Sequence, residues 1–69
     1  MKKEDIETRF GKQVKYYRNK RGMTQSELAD ACGKHQHYIS DVECGKRNVT
    51  LKAIEKIADA LRVDERELF

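Results

Sequence analysis

The chain has no proline and no segment that alternates apolar and polar residues with the two-residue period of a strand. It also has no internal repeat and no low-complexity tract. Apolar runs are too short for a signal peptide or a membrane span, and the basic start is followed at once by Glu4, Asp5 and Glu7. These absences point to an all-helical protein of the cytoplasm with no membrane role. Cysteine is limited to Cys32 and Cys44, and a disulfide is unusual in a cytosolic chain. A zinc site built from Cys32, His35, His37 and Cys44 fails on spacing. His37 and Cys44 lie about 10 Å apart along one helix, beyond a shared tetrahedral ion, and Cys32 faces inward with Leu28. No metal and no cofactor is expected. The scattered His, Asp and Ser residues supply no paired nucleophile and base, so no enzyme is expected either.

Charge is plentiful: 39% of residues are charged, against a typical ~25%. The apolar fraction is 38%, below the usual ~45 to 50%, so the core is small and the surface densely ionic. The 69 residues form a single domain, 1–69, near the lower size at which a chain folds without a staple or a partner. A self-associating protomer follows naturally. Charge is also uneven along the chain. Lys2, Lys3, Arg9, Lys12, Lys15, Arg18, Lys20 and Arg21 face only Glu4, Asp5 and Glu7 in the first 21 residues, a net of +5, whereas residues 22–45 come to −3 and residues 46–69 to +1. Basic groups flanking a neutral-to-acidic centre suit a rim that contacts phosphate.

Helical periodicity and capping chemistry divide the chain into five helices. Ile6, Phe10, Val14 and Tyr17 form one core-facing stripe from about Glu4 to Lys20, ended by Gly22. Thr24 and Glu27 form a capping box with Met23 stapled to Leu28, and Gly33 ends this second helix. A third begins near His35 or Gln36 and closes at Gly45, with Ile39, Val42 and Glu43 on one side and His37, Ser40, Asp41 and Cys44 on the other. Thr50 caps a fourth with the stripe Leu51, Ile54, Ile57, Ala58 and Leu61, and Asp64 with Glu67 starts a last turn or two. The segment of about 24–45 is therefore two short helices joined by a glycine-containing turn, the second presenting a polar stripe. That is the plan of a helix-turn-helix DNA-binding unit.

The run from Gly22 to Ala29, then Gly33, then Tyr38 to Asn48, then Leu51 to Leu61 resembles the Cro and phage-repressor (Xre-type) helix-turn-helix family over nearly the whole chain. Chains of this length in the family are similar to the small controller regulators of restriction-modification systems, to Cro-like phage regulators and to some antitoxins. The resemblance implies a compact five-helix, repressor-like domain. It places Gln25 against the DNA backbone, Gln36 on a base, and His37, Ser40 and Asp41 in the variable base-contacting set. It also implies that Arg18 pairs with Glu43, an ion pair that orients the reading helix more than it stabilises the fold. Two positions depart from the family. Lys34 replaces the usual apolar residue of the turn, leaving the turn looser or engaged with phosphate, and His35 replaces the usual Ser, Thr or Asp cap.

The chemistry of this surface fits base readout. Glutamine bonds bidentately to adenine, His37 donates to a guanine or phosphate acceptor, and Asp41 accepts from cytosine N4. Tyr38 lies on the flank, where it stacks on the backbone or covers the edge of the core. Lys34, His35, Lys46, Arg47 and Asn48 are positioned for phosphate, where they add salt-sensitive affinity without specifying sequence. One unit covers about one half-site, so a homodimer on an inverted-repeat operator of double-stranded DNA is expected, with Leu61, Val63, Leu68 and Phe69 as its seam. The rival reading is an antitoxin-type protein that binds a toxin partner and its own operator. The chain stops about five residues after its last cap, which favours a plain regulator.

Overall fold

The computed structural model describes residues 4–69; Lys2 and Lys3, counted above in the basic first segment, lie outside the described residues. Helix α1 (Ile6–Lys20) is followed by α2 (Gln25–Cys32), α3 (Gln36–Glu43) and α4 (Leu51–Leu61), and a 3₁₀ turn at Glu65–Leu68 completes the described chain. No strand occurs among the described residues. The all-helical class holds, but with four α-helices rather than five. The last segment bonds three residues apart, Glu67 N–H to Asp64 O at 2.9 Å and Phe69 N–H to Arg66 O at 3.3 Å, which makes it 3₁₀ rather than α.

The helix boundaries follow local capping. Thr24 and Glu27 form the reciprocal capping box, the amide of Glu27 donating to Thr24 Oγ1 at 3.0 Å and the amide of Thr24 donating to Glu27 Oε1 at 2.8 Å. Thr50 accepts from the Ala53 amide at 3.1 Å, and Asp64 repeats the box with Glu67. Helix α1 starts two residues later than its stripe implied, because Asp5 accepts from the Thr8 amide at 2.9 Å and caps it. Gly33, at φ 70°, ends α2, and the Lys34 amide reaches back to Ala29 O at 2.9 Å. The turn is thus closed by a regular six-to-one bond; Lys34 does not loosen it.

The core gathers Phe10 and Val14 of α1, Leu28, Ala29 and Cys32 of α2, Ile39 and Val42 of α3, and Ile54, Ile57, Ala58 and Leu61 of α4, sealed by Leu68. Tyr17 packs half-buried against its edge, and two residues of the expected stripes lie outside it altogether. Ile6 is 52% exposed and Leu51 86% exposed. Each occupies the first position of its helix. The opposite correction applies to Leu61 and Leu68. Both are wholly buried inside the protomer, so neither can form the surface seam expected of them. Where α1 crosses α3, the backbones nearly touch. A Cβ on Gly11 would fall 2.2 Å from the Val42 carbonyl oxygen, so only glycine permits this crossing. That contact holds α3 against α1 and sets the height at which its outer face is presented.

Candidate nucleic-acid interface

Helix α3 is fixed from behind by an ion pair. Arg18 Nε lies 2.6 Å from Glu43 Oε2 and Nη2 lies 3.1 Å from Oε1, while Nη1 donates to Met23 O at 2.8 Å. The side chains are 11% and 3% exposed. With both carboxylate oxygens bonded, the cost of burying these charges is offset mainly by geometry, so the pair acts chiefly as an orienting clamp. Gln25 joins it, its Nε2 donating to Glu43 Oε1 at 3.0 Å, and Gln36 Nε2 donates to Gln25 Oε1 at 3.4 Å. Gln25, assigned from sequence to the DNA backbone, therefore also links the first residue of α3 to its last. No local signal reveals this link, since 18 residues separate Gln25 from Glu43.

A second group forms on the flank. Tyr38 packs its ring against the core edge, with Lys34 Nζ at 5.0 Å and the Arg47 guanidinium carbon at 4.7 Å from the ring centroid. Arg47 Nη2 also lies 3.5 Å from Asp41 Oδ2. Two of the cations expected to clamp phosphate are thus gathered around one aromatic ring. Asp41, expected to read a base, pairs with one of them. Burial pushes the Tyr38 phenol above its ordinary range, although Arg47 pulls it down. The phenol is therefore a neutral donor at physiological pH.

The remaining outward positions are simply presented. Gln36 and His37 are exposed on the first turn of α3, and Ser40 is half-buried one turn further on. His35 occupies the cap position without a side-chain capping bond, so the first amides of α3 receive nothing from it. Lys46 and Asn48 are exposed in the loop after Gly45, where the Lys46 amide closes the helix on Asp41 O at 2.9 Å. Cys44 is exposed, whereas Cys32 is buried and burial raises its thiol pKa. Among the described residues no cluster of His, Cys, Asp or Glu is arranged to hold a metal ion. Of the expected seam, Val63 is half-buried. Phe69 is 50% exposed and partly folded back, its ring centroid 5.3 Å from that of Phe10.

Two helices at a glycine turn, with the second locked on one face and polar on the other, define a helix-turn-helix protein. The helix-turn-helix family model matches residues 14–68, and the chain belongs to that family. It is 46% identical over 65 residues to the control protein C.BamHI of Bacillus amyloliquefaciens, a match covering 93% of this chain and 80% of that one. Its fold is similar to the restriction-modification controller protein C.AhdI from Aeromonas hydrophila, with TM-score 0.88 and 40% identity over 91% of this chain and 96% of that one. It is similar also to C.Esp1396I bound to a 25 base pair operator site, with TM-score 0.84 and 31% identity over 97% and 88% of the two chains.

Proposed function

We propose that the protein is a sequence-specific double-stranded DNA-binding transcription regulator of the restriction-modification controller type. It works as a homodimer that sets one α3 into the major groove of each half of an inverted-repeat operator. The observation that carries this reading is the division of α3. Its inner face is buried with Ile39, Val42 and the clamped Glu43, while Gln36 and His37 stand exposed on the outer one, flanked by Lys34, Lys46 and Arg47. Base-reading groups beside cations that can contact phosphate are what direct readout requires. Gln36, His37, Ser40 and Asp41 are the base-facing set. Gln25, Lys34, His35, Tyr38, Lys46, Arg47 and Asn48 form the backbone-facing set. Such a regulator acts in the cytoplasm, and among the described residues no helix is long and apolar enough to cross a membrane.

The test is selection of bound duplex fragments from genomic DNA by the purified protein at two salt concentrations. The expected result is an inverted repeat with half-sites about one helical turn apart, its binding steeply weakened by salt. Recovery of no preferred sequence would overturn the reading and leave only electrostatic affinity.

A further inference from the structure

Between the end of α3 and the cap of α4 the chain passes through Lys46, Arg47 and Asn48. The Lys46 amide closes the helix on Asp41 O, but among the described residues no backbone hydrogen bond ties Arg47, Asn48 or Val49 to the rest of the protein. Packing must hold this loop instead. Val49 packs against the core, and the Arg47 side chain reaches back to Tyr38 and Asp41. The start of the loop is set at Gly45, which lies against the first turn of α1. A Cβ at this residue would stand 2.8 Å from Thr8 Oγ1, 3.0 Å from Thr8 Cα and 3.3 Å from Thr8 N, and its φ is 74°. The contact and the backbone conformation both call for glycine. Thr8 is itself fixed, because its amide donates to the Asp5 cap at 2.9 Å. Beside the loop lies a hollow of about 140 Å³, lined by Ile6, Glu7 and Phe10 of α1 and by Arg47, Asn48 and Val49. A loop without backbone bonds that borders a hollow can shift into it once its support is removed.

We propose that Thr8 is a positioning residue for phosphate contact: by abutting Gly45 it holds Lys46, Arg47 and Asn48 out of the hollow and toward the DNA backbone. The proposal rests on the DNA-binding function above. Thr8 acts through the loop rather than through a contact of its own. Its side chain sets where the chain leaves α3, and so how many of the three groups meet phosphate at once. The reading helix is held separately, by the Arg18–Glu43 pair and by the crossing at Gly11. Loss of the Thr8 side chain therefore costs affinity on every sequence and leaves the choice of base alone, since phosphate contacts position the protein and carry no sequence information.

The experiment compares the wild type, Thr8→Ala and Thr8→Val on three duplexes at several salt concentrations: random sequence, the selected operator, and that operator altered at one read base pair. Melting temperatures are measured alongside. Thr8→Ala removes the atoms that abut Gly45. It should weaken binding to every duplex about three- to tenfold and lower the salt slope by about 1, the loss of roughly one phosphate contact. The ratio between the intact and the altered operator should stay as in the wild type, and so should the melting temperature. Thr8→Val keeps the branched shape without the hydroxyl and should bind as the wild type does. A merely structural role predicts the reverse, a lowered melting temperature with the salt slope intact. An unchanged salt slope in Thr8→Ala, or a loss in Thr8→Val equal to that in Thr8→Ala, overturns the inference while the regulator reading stands. A wild-type protein with no preferred sequence overturns the regulator reading, and the random duplex alone then decides the role of Thr8.

Discussion

Gln36 and Arg47 have different surroundings, which make them fail differently when removed. Gln36 stands exposed on the first turn of α3, so Gln36→Ala should cost ~1 to 3 kcal/mol at one base position and little elsewhere. Arg47 is held 4.7 Å over the Tyr38 ring and 3.5 Å from Asp41, a pair about half exposed on both sides. Such a pair contributes little to folding. Arg47→Ala should therefore leave the melting temperature nearly unchanged, weaken all DNA sequences alike and reduce the salt slope by about 1. Binding isotherms on operator and random duplex at several salt concentrations separate the two. Equal losses on both duplexes for Gln36→Ala would remove its reading role.

At the scale of elements, the crossing of α1 over α3 is the least tolerant joint. A Cβ at Gly11 would lie 2.2 Å from Val42 O and 2.9 Å from Glu43 O, both backbone atoms with no side-chain freedom to give. Gly11→Ala should destabilise the protein by about 3 kcal/mol or more, despite alanine's higher helix propensity, as overpacking does where nothing can move. Chemical denaturation measures it, and a neutral or stabilising result would show that the two helices part easily. The terminal 3₁₀ turn responds to acid instead. Hydrogen bonds from the Arg66 side chain, and then from its backbone amide, hold the Asp64 carboxyl below its ordinary range. A lowered carboxyl pKa stabilises the folded state above the unfolded value. The contribution of this cap is thus fully present at neutral pH and fades below about pH 4, as the carboxylate protonates. An NMR titration should find Asp64 ionised to lower pH than an ordinary aspartate, and Arg66→Ala should move its midpoint upward.

These two joints also show what a sequence can reveal. The caps at Thr24, Thr50 and Asp64 and the closing Gly33 were legible because each completes its chemistry within three or four residues. The polar and apolar sides of α3 were legible for the same reason. Gly11 was not, because what requires glycine there is a carbonyl on another helix. Ile6 and Leu51 fit their stripes by spacing but lie at helix starts outside the core, and Leu61 and Leu68 proved to be core rather than seam. Periodicity marks a face and not the partner that covers it. The Gln25 bond to Glu43 and the sharing of Arg47 between Tyr38 and Asp41 depend likewise on how helices and loop come together.

For the whole molecule, the exposed apolar groups bear on assembly. Among the described residues, Leu51, Ile6 and Phe69 are the large hydrophobic residues most open to solvent apart from Tyr16. Phe69 borders two neighbouring hollows. One, of about 140 Å³, is lined by Ile6, Phe10, Val49 and Ile54, and the other is lined by Leu51, Ile54 and Glu65. A homodimer seam can therefore use Leu51 and Phe69, with half-buried Val63 at most peripheral and Leu61 and Leu68 supporting it from inside. In a two-fold dimer each substitution is felt twice. Burying a leucine stabilises association by roughly 1.5 to 3 kcal/mol, so Leu51→Ser should weaken dimerisation by about two orders of magnitude or more. The protomer's own stability should barely change, because this side chain is 86% exposed. Sedimentation should then find monomer at concentrations where the wild type is dimeric. Affinity for a two-half-site operator should fall, while affinity for a single half-site stays as it was. If Leu51→Ser and Phe69→Ser both sediment like the wild type, the seam lies elsewhere on the molecule.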